Sequence, residues 1–341
     1  MTQYQPRYHV KRSVFILLFL IVALSLLISG CSTSGASEKT YRVGVLAGLS
    51  FVADITDGFK EAMTELGYVE GENITYDVRL TEFDIPTYQS ILQELIEDEV
   101  DLILVFPTEA SIEAKNAAAG TDVPVIFNFA QTEGTGLIES IREPGGNITG
   151  VRYPGPDLAL RRFEILRELV PDATRILVPY QKGYPIVQSQ LDIIYPAAEA
   201  AGVTLIEMPA ETPAELASLL QELGATGSVD IDAVLFIAEP LIIGPEASAA
   251  ISSFSREYNI PMGGAYFSVD GYGSLFGVNV DPIASGKLAA PLADKIFQDI
   301  PAGSIPVISA EMFMQIDYGM AQKMGLEMPE ELLILADEVI R

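Results

Sequence analysis

The chain has very few of the residues that most enzymes use for catalysis near neutral pH. Its 341 residues include one histidine, His9, one cysteine, Cys31, and no tryptophan. Histidine is the usual general base in this pH range. Its scarcity argues against Ser-His and Cys-His nucleophilic sites, and against metal sites built from histidine and cysteine. Carboxylates, lysines, tyrosines and hydroxyls remain for chemistry, so we expect no cofactor, no metal site and no enzyme.

Basic residues are also scarce. The chain has 20 lysines and arginines against 47 aspartates and glutamates, which gives a formal net charge of −27 at pH 7. A polyanionic surface disfavours nucleic acids and anionic lipids as partners. The acids are spread along the chain rather than collected in blocks, so a solvated acidic surface is the simplest interpretation. We therefore expect no nucleic-acid partner.

One long apolar run lies near the N-terminus and has the layout of a secretory signal. The segment MTQYQPRYHVKR carries three basic residues and no acid, and SVFILLFLIVALSLLIS follows it. A positive segment before an apolar one is typical of a signal peptide. The run is also close to the length that spans a bilayer, about 18 residues, so an uncleaved anchor is the alternative.

Cys31 favours the signal peptide over the anchor. The sequence Ile28-Ser29-Gly30-Cys31 resembles the lipobox of bacterial lipoproteins, in which the signal is cleaved before the cysteine and the sulfur carries diacylglycerol. The resemblance implies a signal peptide over residues 1–30, lipid attachment at Cys31, and a flexible tether, CSTSGASEKT, over residues 31–40. Cleavage would also remove His9 and three bases, leaving 17 − 47 = −30 charges.

From Tyr41 onward, predicted strands and helices alternate in two series. Apolar residues such as Ile55, Phe59 and Met63 recur at helical spacing between the strands. The predicted strands are Tyr41–Leu46, Asn73–Leu80, Val100–Phe106 and Val123–Phe129 in the first series, and Arg175–Tyr180, Val203–Met208, Asp232–Ala238 and Ile260–Tyr266 in the second. A segment rich in glycine and proline, 143–156, separates the two series. The pattern predicts an α/β protein of two Rossmann-like lobes with parallel sheets.

Ligands of open parallel sheets bind at the carboxyl ends of the strands, where helix N-termini present free N–H groups. Two such lobes facing each other form a cleft. The loops expected to line it are residues 47–54, 107–111 and 128–134 in the first series, and 179–185, 238–246 and 263–273 in the second.

The chain from Tyr41 to Arg341 resembles the solute-binding proteins of ABC transporters, in the branch linked to uptake of the aromatic amino acids tryptophan and tyrosine. The segments that carry the resemblance include GFKEAMTELGYVEGENITYD, LIEDEVDLILVFPTEAS, PGGNITGV, DAVLFIAEP, IPMGG and MPEELLILADEVI. It implies the type I periplasmic-binding (Venus-flytrap) fold, with hinge crossovers and closure over a ligand. It assigns residues 41–150 and 276–303 to lobe 1, and residues 151–275 and 304–341 to lobe 2.

Nine residues in the cleft loops are candidate ligand contacts: Ser50, Thr108, Glu109, Asn128, Gln131, Tyr180, Tyr184, Glu239 and Tyr266. Thr108 is also a natural helix N-cap, and Glu109 and Glu239 would each suit the first turn of a helix. The sequence GGAY lacks the acid that the branch often has there to meet a ligand ammonium, so Glu239 is the possible substitute. The tyrosines suit stacking on a flat or apolar ligand.

The expected function is capture of a small solute by a monomeric lipoprotein outside the cell membrane. The resemblance implies delivery to an ABC permease and its ATPase, and an aromatic amino acid or a related aromatic or amphiphilic compound as ligand. A lipoprotein that signals to a membrane receptor is one alternative. A hydrolase using Glu109 and Glu239 as paired carboxylates is the other, since such an enzyme needs two converging acids.

Overall fold

The computed structural model describes residues 39–341 apart from 226, 228, 270 and 271. Cys31, the lipobox and the predicted signal peptide lie outside the described residues. Within the described part, no helix combines the length and apolarity needed to cross a membrane.

The first sheet has six strands, all paired in parallel, in the order β13-β5-β4-β3-β1-β2. With strands numbered in chain order, they are β1 (Tyr41–Ala47), β2 (Ile74–Leu80), β3 (Leu102–Phe106), β4 (Val125–Ala130), β5 (Ile148–Arg152) and β13 (Ile308–Ser309). Strand β3, with the sequence LILVF, is buried at every position. A continuous apolar run of this kind suits a central parallel strand that helices cover on both faces.

The second sheet has seven strands in the order β15-β14-β12-β9-β8-β6-β7. They are β6 (Arg175–Gln181), β7 (Thr204–Ala210), β8 (Ala233–Phe236), β9 (Met262–Gly264), β12 (Phe276–Asn279), β14 (Phe313–Asp317) and β15 (Glu338–Ile340). Its pairs are parallel except for β12 with β14, which is antiparallel. A small hairpin of β10 (Ser268–Val269) and β11 (Tyr272–Gly273) stands apart from both sheets.

The helices connect the strands in the alternation that the sequence predicts. They are α1 (Ile55–Glu65), α2 (Ile85–Glu97), α3 (Thr108–Ala118), α4 (Gly155–Leu169), α5 (Val187–Ala200), α6 (Pro213–Gly224), α7 (Pro245–Tyr258), α8 (Pro282–Phe297), α9 (Tyr318–Lys323) and α10 (Glu330–Leu335). Side-chain caps begin several of them: Asp84 accepts from the N–H of Thr87, and Asp281 from that of Ala284. The predicted fold class, two α/β lobes with parallel sheets, is confirmed.

The chain passes between the sheets three times. It leaves the first sheet after Arg152, returns to it through α8 after Asn279, and leaves it again after Ser309. Helix α8 packs on α1 in lobe 1, whereas α4 packs on β9 in lobe 2. At the crossovers, Arg152 donates from Nε to Ser309 Oγ at 3.2 Å and forms an ion pair with Glu133.

The crossovers correct the lobe boundaries that the resemblance implied. Residues 276–279 were expected in lobe 1, but as β12 they pair with β14 in the second sheet. Residues 308–309 were expected in lobe 2, but as β13 they pair in parallel with β5 in the first sheet. Lobe 1 therefore contains residues 41–152 and 282–309, and lobe 2 contains residues 155–279 and 313–341.

The strand predicted over Ile260–Tyr266 is shorter in the structure, where β9 ends at Gly264. Gly264 has φ +145°, and a Cβ built on it would lie 2.1 Å from the carbonyl oxygen of Phe236. Only glycine tolerates that conformation and that approach. The chain turns there, which places Tyr266 at the wall of the cleft.

Candidate ligand-binding site

A small cavity of about 40 Å³, partly open to solvent, lies between the lobes at the carboxyl ends of both sheets. Its lining residues are Leu49, Phe51, Phe83, Pro107, Thr108 and Phe129 from lobe 1, Tyr153 from the first crossover, and Tyr184, Ile186, Ala238, Glu239, Pro240, Ile243, Tyr266 and Asn279 from lobe 2. Each lies at or just beyond the end of a strand, except that Ile186 and Ile243 lie farther along their loops. This is the position that parallel-sheet topology predicts for a ligand.

Aromatic pairs join the two lobes across the cavity. Phe51 packs edge-on against Tyr266 with ring centroids 5.7 Å apart, and Phe83 packs edge-on against Tyr184 at 6.1 Å. Edge-to-face pairs at these distances are favourable beyond the apolar area that they bury. The walls are therefore aromatic on both sides and would suit a flat solute.

A hydrogen bond between the lobes stands beside the aromatic pairs. Gln131 donates from Nε2 to Ser189 Oγ at 2.6 Å and from its backbone N–H to Thr108 Oγ1 at 3.1 Å. Gly155 makes room for the Gln131 amide, since a Cβ at position 155 would lie 2.3 Å from Gln131 Oε1. The Gln131–Ser189 bond and the two aromatic pairs bring the lobes into contact across the cavity. Thr108 is the first residue of α3 and not its N-cap, which is Pro107, and the Thr108 hydroxyl accepts from Gln131.

Glu109 carries an unsatisfied buried carboxylate beside the cavity. Both of its carboxylate oxygens are buried without a hydrogen-bond partner among the described residues. Burial raises the pKa of Glu109. Its own backbone N–H and the hydroxyl of Tyr184 act in the opposite direction, although that hydroxyl forms no hydrogen bond with the carboxylate. Burial and the Glu109 charge raise the pKa of Tyr184 well above its usual value. A buried carboxylate without a partner is costly, and a ligand cation would remove that cost.

Glu239 also lies at the cavity, but backbone groups occupy its carboxylate. Its Oε2 accepts from the N–H groups of Gln181 at 3.0 Å and Leu241 at 2.8 Å, and Oε1 accepts from that of Ile242 at 2.9 Å. Burial raises the pKa of Glu239 to about 7, against the opposing effect of these three N–H groups. Its carboxylate thus holds the loop after β8.

The Tyr266 hydroxyl fixes the same loop. It accepts from the backbone N–H of Glu239 at 3.0 Å and donates to the carbonyl oxygen of Glu239 at 2.6 Å. Both hydrogen-bonding roles of the hydroxyl are therefore used within the protein, and the ring of Tyr266 is the part that remains for a ligand.

Three sequence-predicted candidates lie away from the cavity. Ser50 is exposed, and its N–H donates to the carboxylate of Glu82. Asn128 donates from Nδ2 to the carbonyl oxygen of Ser285 at 2.9 Å and accepts from its hydroxyl, which ties β4 to α8. The hydroxyl of Tyr180 donates to Glu207 on the neighbouring strand β7. The structure brings Thr108, Tyr184, Glu239 and Tyr266 to the cavity wall, with Glu109 and Gln131 directly behind it.

Four lining residues lie outside the loops predicted from the sequence: Phe83, Tyr153, Asn279 and Ile186. Phe83 follows β2, Tyr153 follows β5, and Asn279 ends β12. The rule that ligands lie at the carboxyl ends of parallel strands, applied to β2 and β5 as well, identifies the first two. Asn279 requires knowledge of the second crossover, which the periodicity of the sequence does not give.

Comparison with known proteins agrees with this architecture. A family model described as ABC transporter substrate binding protein matches residues 43–340. A relative named tyrosine-binding protein, from Clostridioides difficile (strain R20291), is 27% identical over 282 residues, which cover 82% of this chain and 78% of the relative.

Solved structures share the fold over most of the chain. An ABC domain in complex with L-Trp from Streptococcus pneumonia superposes with a TM-score of 0.77 at 22% identity, covering 89% of this chain and 100% of that one. The ligand-free, open structure of a substrate binding protein with adhesive properties from Clostridium difficile gives a TM-score of 0.67 at 22% identity, covering 89% and 99%. The chain belongs to the ABC transporter substrate-binding protein family.

Proposed function

We propose that this protein captures an aromatic amino acid, or a closely related aromatic amine, in the cavity between its lobes and delivers it to an ABC permease and its ATPase. Substrate-binding proteins of ABC importers act outside the cytoplasm. The observation that carries the choice of ligand is the buried, unpartnered carboxylate of Glu109 beside aromatic walls.

The two features make complementary demands on a ligand. Phe51, Phe83, Tyr184 and Tyr266 come together from both lobes and favour a flat apolar group. Glu109 favours a cation, because an ammonium would supply the partner that the protein does not. Two similar proteins, one named tyrosine-binding protein and one solved in complex with L-Trp, support the same class of ligand.

The arrangement favours binding over hydrolysis. A carboxylate pair for hydrolysis would have to include Glu239, and its two oxygens are occupied by three backbone N–H groups. Closure over a ligand, with contacts from both lobes, gives the closed form its extra stability, and the permease would recognise that form. We also propose a monomer that is attached to the membrane by diacylglycerol on Cys31, which mass spectrometry of the protein with and without Cys31→Ala would test.

Isothermal titration of the purified protein with L-tyrosine, L-tryptophan and L-phenylalanine tests the proposal, with L-alanine as the non-aromatic control. We expect saturable binding of at least one aromatic amino acid and none of alanine. Glu109→Gln should weaken that binding by about 10- to 100-fold, because it removes a charged partner. Glu113→Gln is the matched control, since Glu113 lies one turn further along α3 and bonds to Gln89. Equal affinity in Glu109→Gln and wild type would exclude Glu109 from the site.

A further inference from the structure

Arg162 is the largest fully buried side chain in the described part of the chain, at 0% exposure. Its guanidinium, on α4, donates to the carbonyl oxygen of Val278 at 2.7 Å, to Gln190 Oε1 at 3.4 Å and to the hydroxyl of Tyr153 at 2.6 Å. All three partners are neutral, and no carboxylate of the described residues lies within ion-pair distance of Arg162. A buried charge is normally paired, because its removal from water is costly.

The surroundings of Arg162 hold the guanidinium in place. Gln190 donates from Nε2 to the carbonyl oxygens of Ile186 at 3.1 Å and Ala238 at 2.8 Å, and accepts from the N–H of Ala238 at 2.9 Å. Its amide is therefore fixed on both sides, and it presents Oε1 to Arg162. The same network reaches Ile186 and Ala238, which both line the cavity.

Tyr153 links this buried charge to the cavity. Its side chain lines the cavity, and its ring packs against Phe129 with centroids 4.7 Å apart. The hydroxyl accepts from Arg162, so its own proton is available to donate, and it has no acceptor among the hydrogen bonds of the described residues. A hydroxyl that accepts from a guanidinium is polarised and becomes a stronger donor toward an anion.

The field of Arg162 extends to the neighbouring cavity wall. Burial raises the pKa of Tyr266 well above its usual value, as does the charge of Glu239, and the charge of Arg162 acts in the opposite direction. No lysine or arginine lines the cavity within the part of the chain that the structure describes. Arg162 is thus the source of positive potential at this end of the site.

We propose that Tyr153, positioned and polarised by Arg162, binds the carboxylate of the captured solute. This inference rests on the proposed function and deepens it, since the preferred ligand becomes a zwitterion rather than any aromatic amine. A carboxylate at Tyr153 would offset the unpaired positive charge of Arg162, and an ammonium at Glu109 would satisfy the unpartnered carboxylate. Arg162 is a positioning residue here, because it acts through the Tyr153 hydroxyl.

Titration calorimetry with L-tyrosine and L-tyrosinamide isolates the carboxylate, since the two probes share the aromatic ring and the ammonium. We expect wild type to bind L-tyrosine at least about tenfold more tightly than the amide, the effect of one charge-assisted hydrogen bond. Tyr153→Phe should abolish most of that preference and leave the amide's affinity within about threefold of wild type. Tyr76→Phe is the matched control, because the Tyr76 hydroxyl is buried without a partner in lobe 1 and lies outside the cavity.

The outcomes separate this inference from the function on which it rests. If wild type binds both probes with equal affinity, the capture function stands and the role of Tyr153 is refuted, even where Tyr153→Phe cannot be purified. A wild-type preference that survives in folded Tyr153→Phe also refutes it. If wild type binds neither probe nor any other aromatic amino acid, the proposed function fails and this inference fails with it.

Discussion

Gln131 of lobe 1 and Ser189 of lobe 2 are joined by a hydrogen bond of 2.6 Å from Nε2 to Oγ. The bond lies beside the ligand cavity but outside its lining, so it stabilises the closed arrangement of the lobes without touching a ligand. A protein that must release its ligand to a permease needs such contacts to be few and individually weak. Closure can then be changed separately from the contacts to the ligand.

Ser189→Ala should weaken ligand binding without altering the walls of the cavity. The variant loses the hydrogen bond to Gln131 that joins the lobes, which costs about 1 kcal/mol, or about fivefold in apparent affinity. It also loses the bond of the Ser189 hydroxyl to the carbonyl oxygen of Ile186, which lies within lobe 2. Ser218→Ala is the control, since that exposed hydroxyl bonds only to the backbone of its own helix. Calorimetry gives the affinity, and small-angle scattering of the ligand-free protein should show a larger radius of gyration in Ser189→Ala. Unchanged affinity and unchanged scattering would show that this hydrogen bond does not contribute to closure of the lobes.

Gly155→Ala should destabilise the protein because of one particular neighbour. The new Cβ would lie 2.3 Å from Gln131 Oε1, so the amide has to move and lose its bond to Ser189. We expect a loss of about 1–3 kcal/mol in the free energy of unfolding, measured by urea denaturation. Combining it with Gln131→Ala should recover part of that loss, because the double variant has no amide to displace. Strictly additive losses would contradict this explanation.

Asn128→Ala should reduce stability and leave the affinity for ligand unchanged. Both polar atoms of the Asn128 amide bond to Ser285, which fixes α8 against β4. Removing the amide leaves buried groups of Ser285 unpaired, at a cost of about 1–3 kcal/mol. Urea denaturation measures the stability of the variant, and calorimetry measures its affinity for ligand. If Asn128→Ala has the stability of wild type but binds ligand more weakly, Asn128 belongs to the binding site.

Glu239 should make the protein less stable as the pH rises from about 4.5 to about 7. Its pKa is raised from the model-compound value of 4.5 to about 7 by burial, so in that range the folded state binds more protons than the unfolded state. The stability that the protonated form contributes is complete below about pH 4.5 and is lost as the pH rises through about 7.

The contribution is on the order of 3 kcal/mol over this range. Urea denaturation at a series of pH values should show this slope in wild type and not in Glu239→Gln, whose side chain cannot titrate. The absolute stability of Glu239→Gln at pH 7 is uninformative, because its amide group would meet backbone N–H donors. A slope that is the same in both proteins would show that Glu239 keeps an ordinary pKa.

The sequence predicted the fold well because strand and helix periodicity is a local signal. The buried run LILVF and the amphipathic spacing of Ile55, Phe59 and Met63 each identify one element without its neighbours. The crossovers could not be read in this way, because the membership of β12 and β13 in their sheets depends on pairing over long sequence separations.

The site was harder to predict than the fold for a related reason. The positions of the loops correctly predicted a site at the ends of the strands, but they cannot give the direction of a side chain. Asn128 lies within the buried strand β4 and Glu239 follows the buried strand β8, yet Asn128 bonds to α8 and Glu239 to its own loop. The unsatisfied state of Glu109 and the unpaired charge of Arg162 are visible only once every neighbour is in place.

The ammonium preference of the site tests the central claim most directly. Calorimetry of wild type with L-tyrosine and with 3-(4-hydroxyphenyl)propionate compares two probes that differ in the ammonium alone. If Glu109 receives the ammonium, the propionate should bind at least about tenfold more weakly, because it leaves the buried carboxylate unpaired. Equal or tighter binding of the propionate would contradict the account.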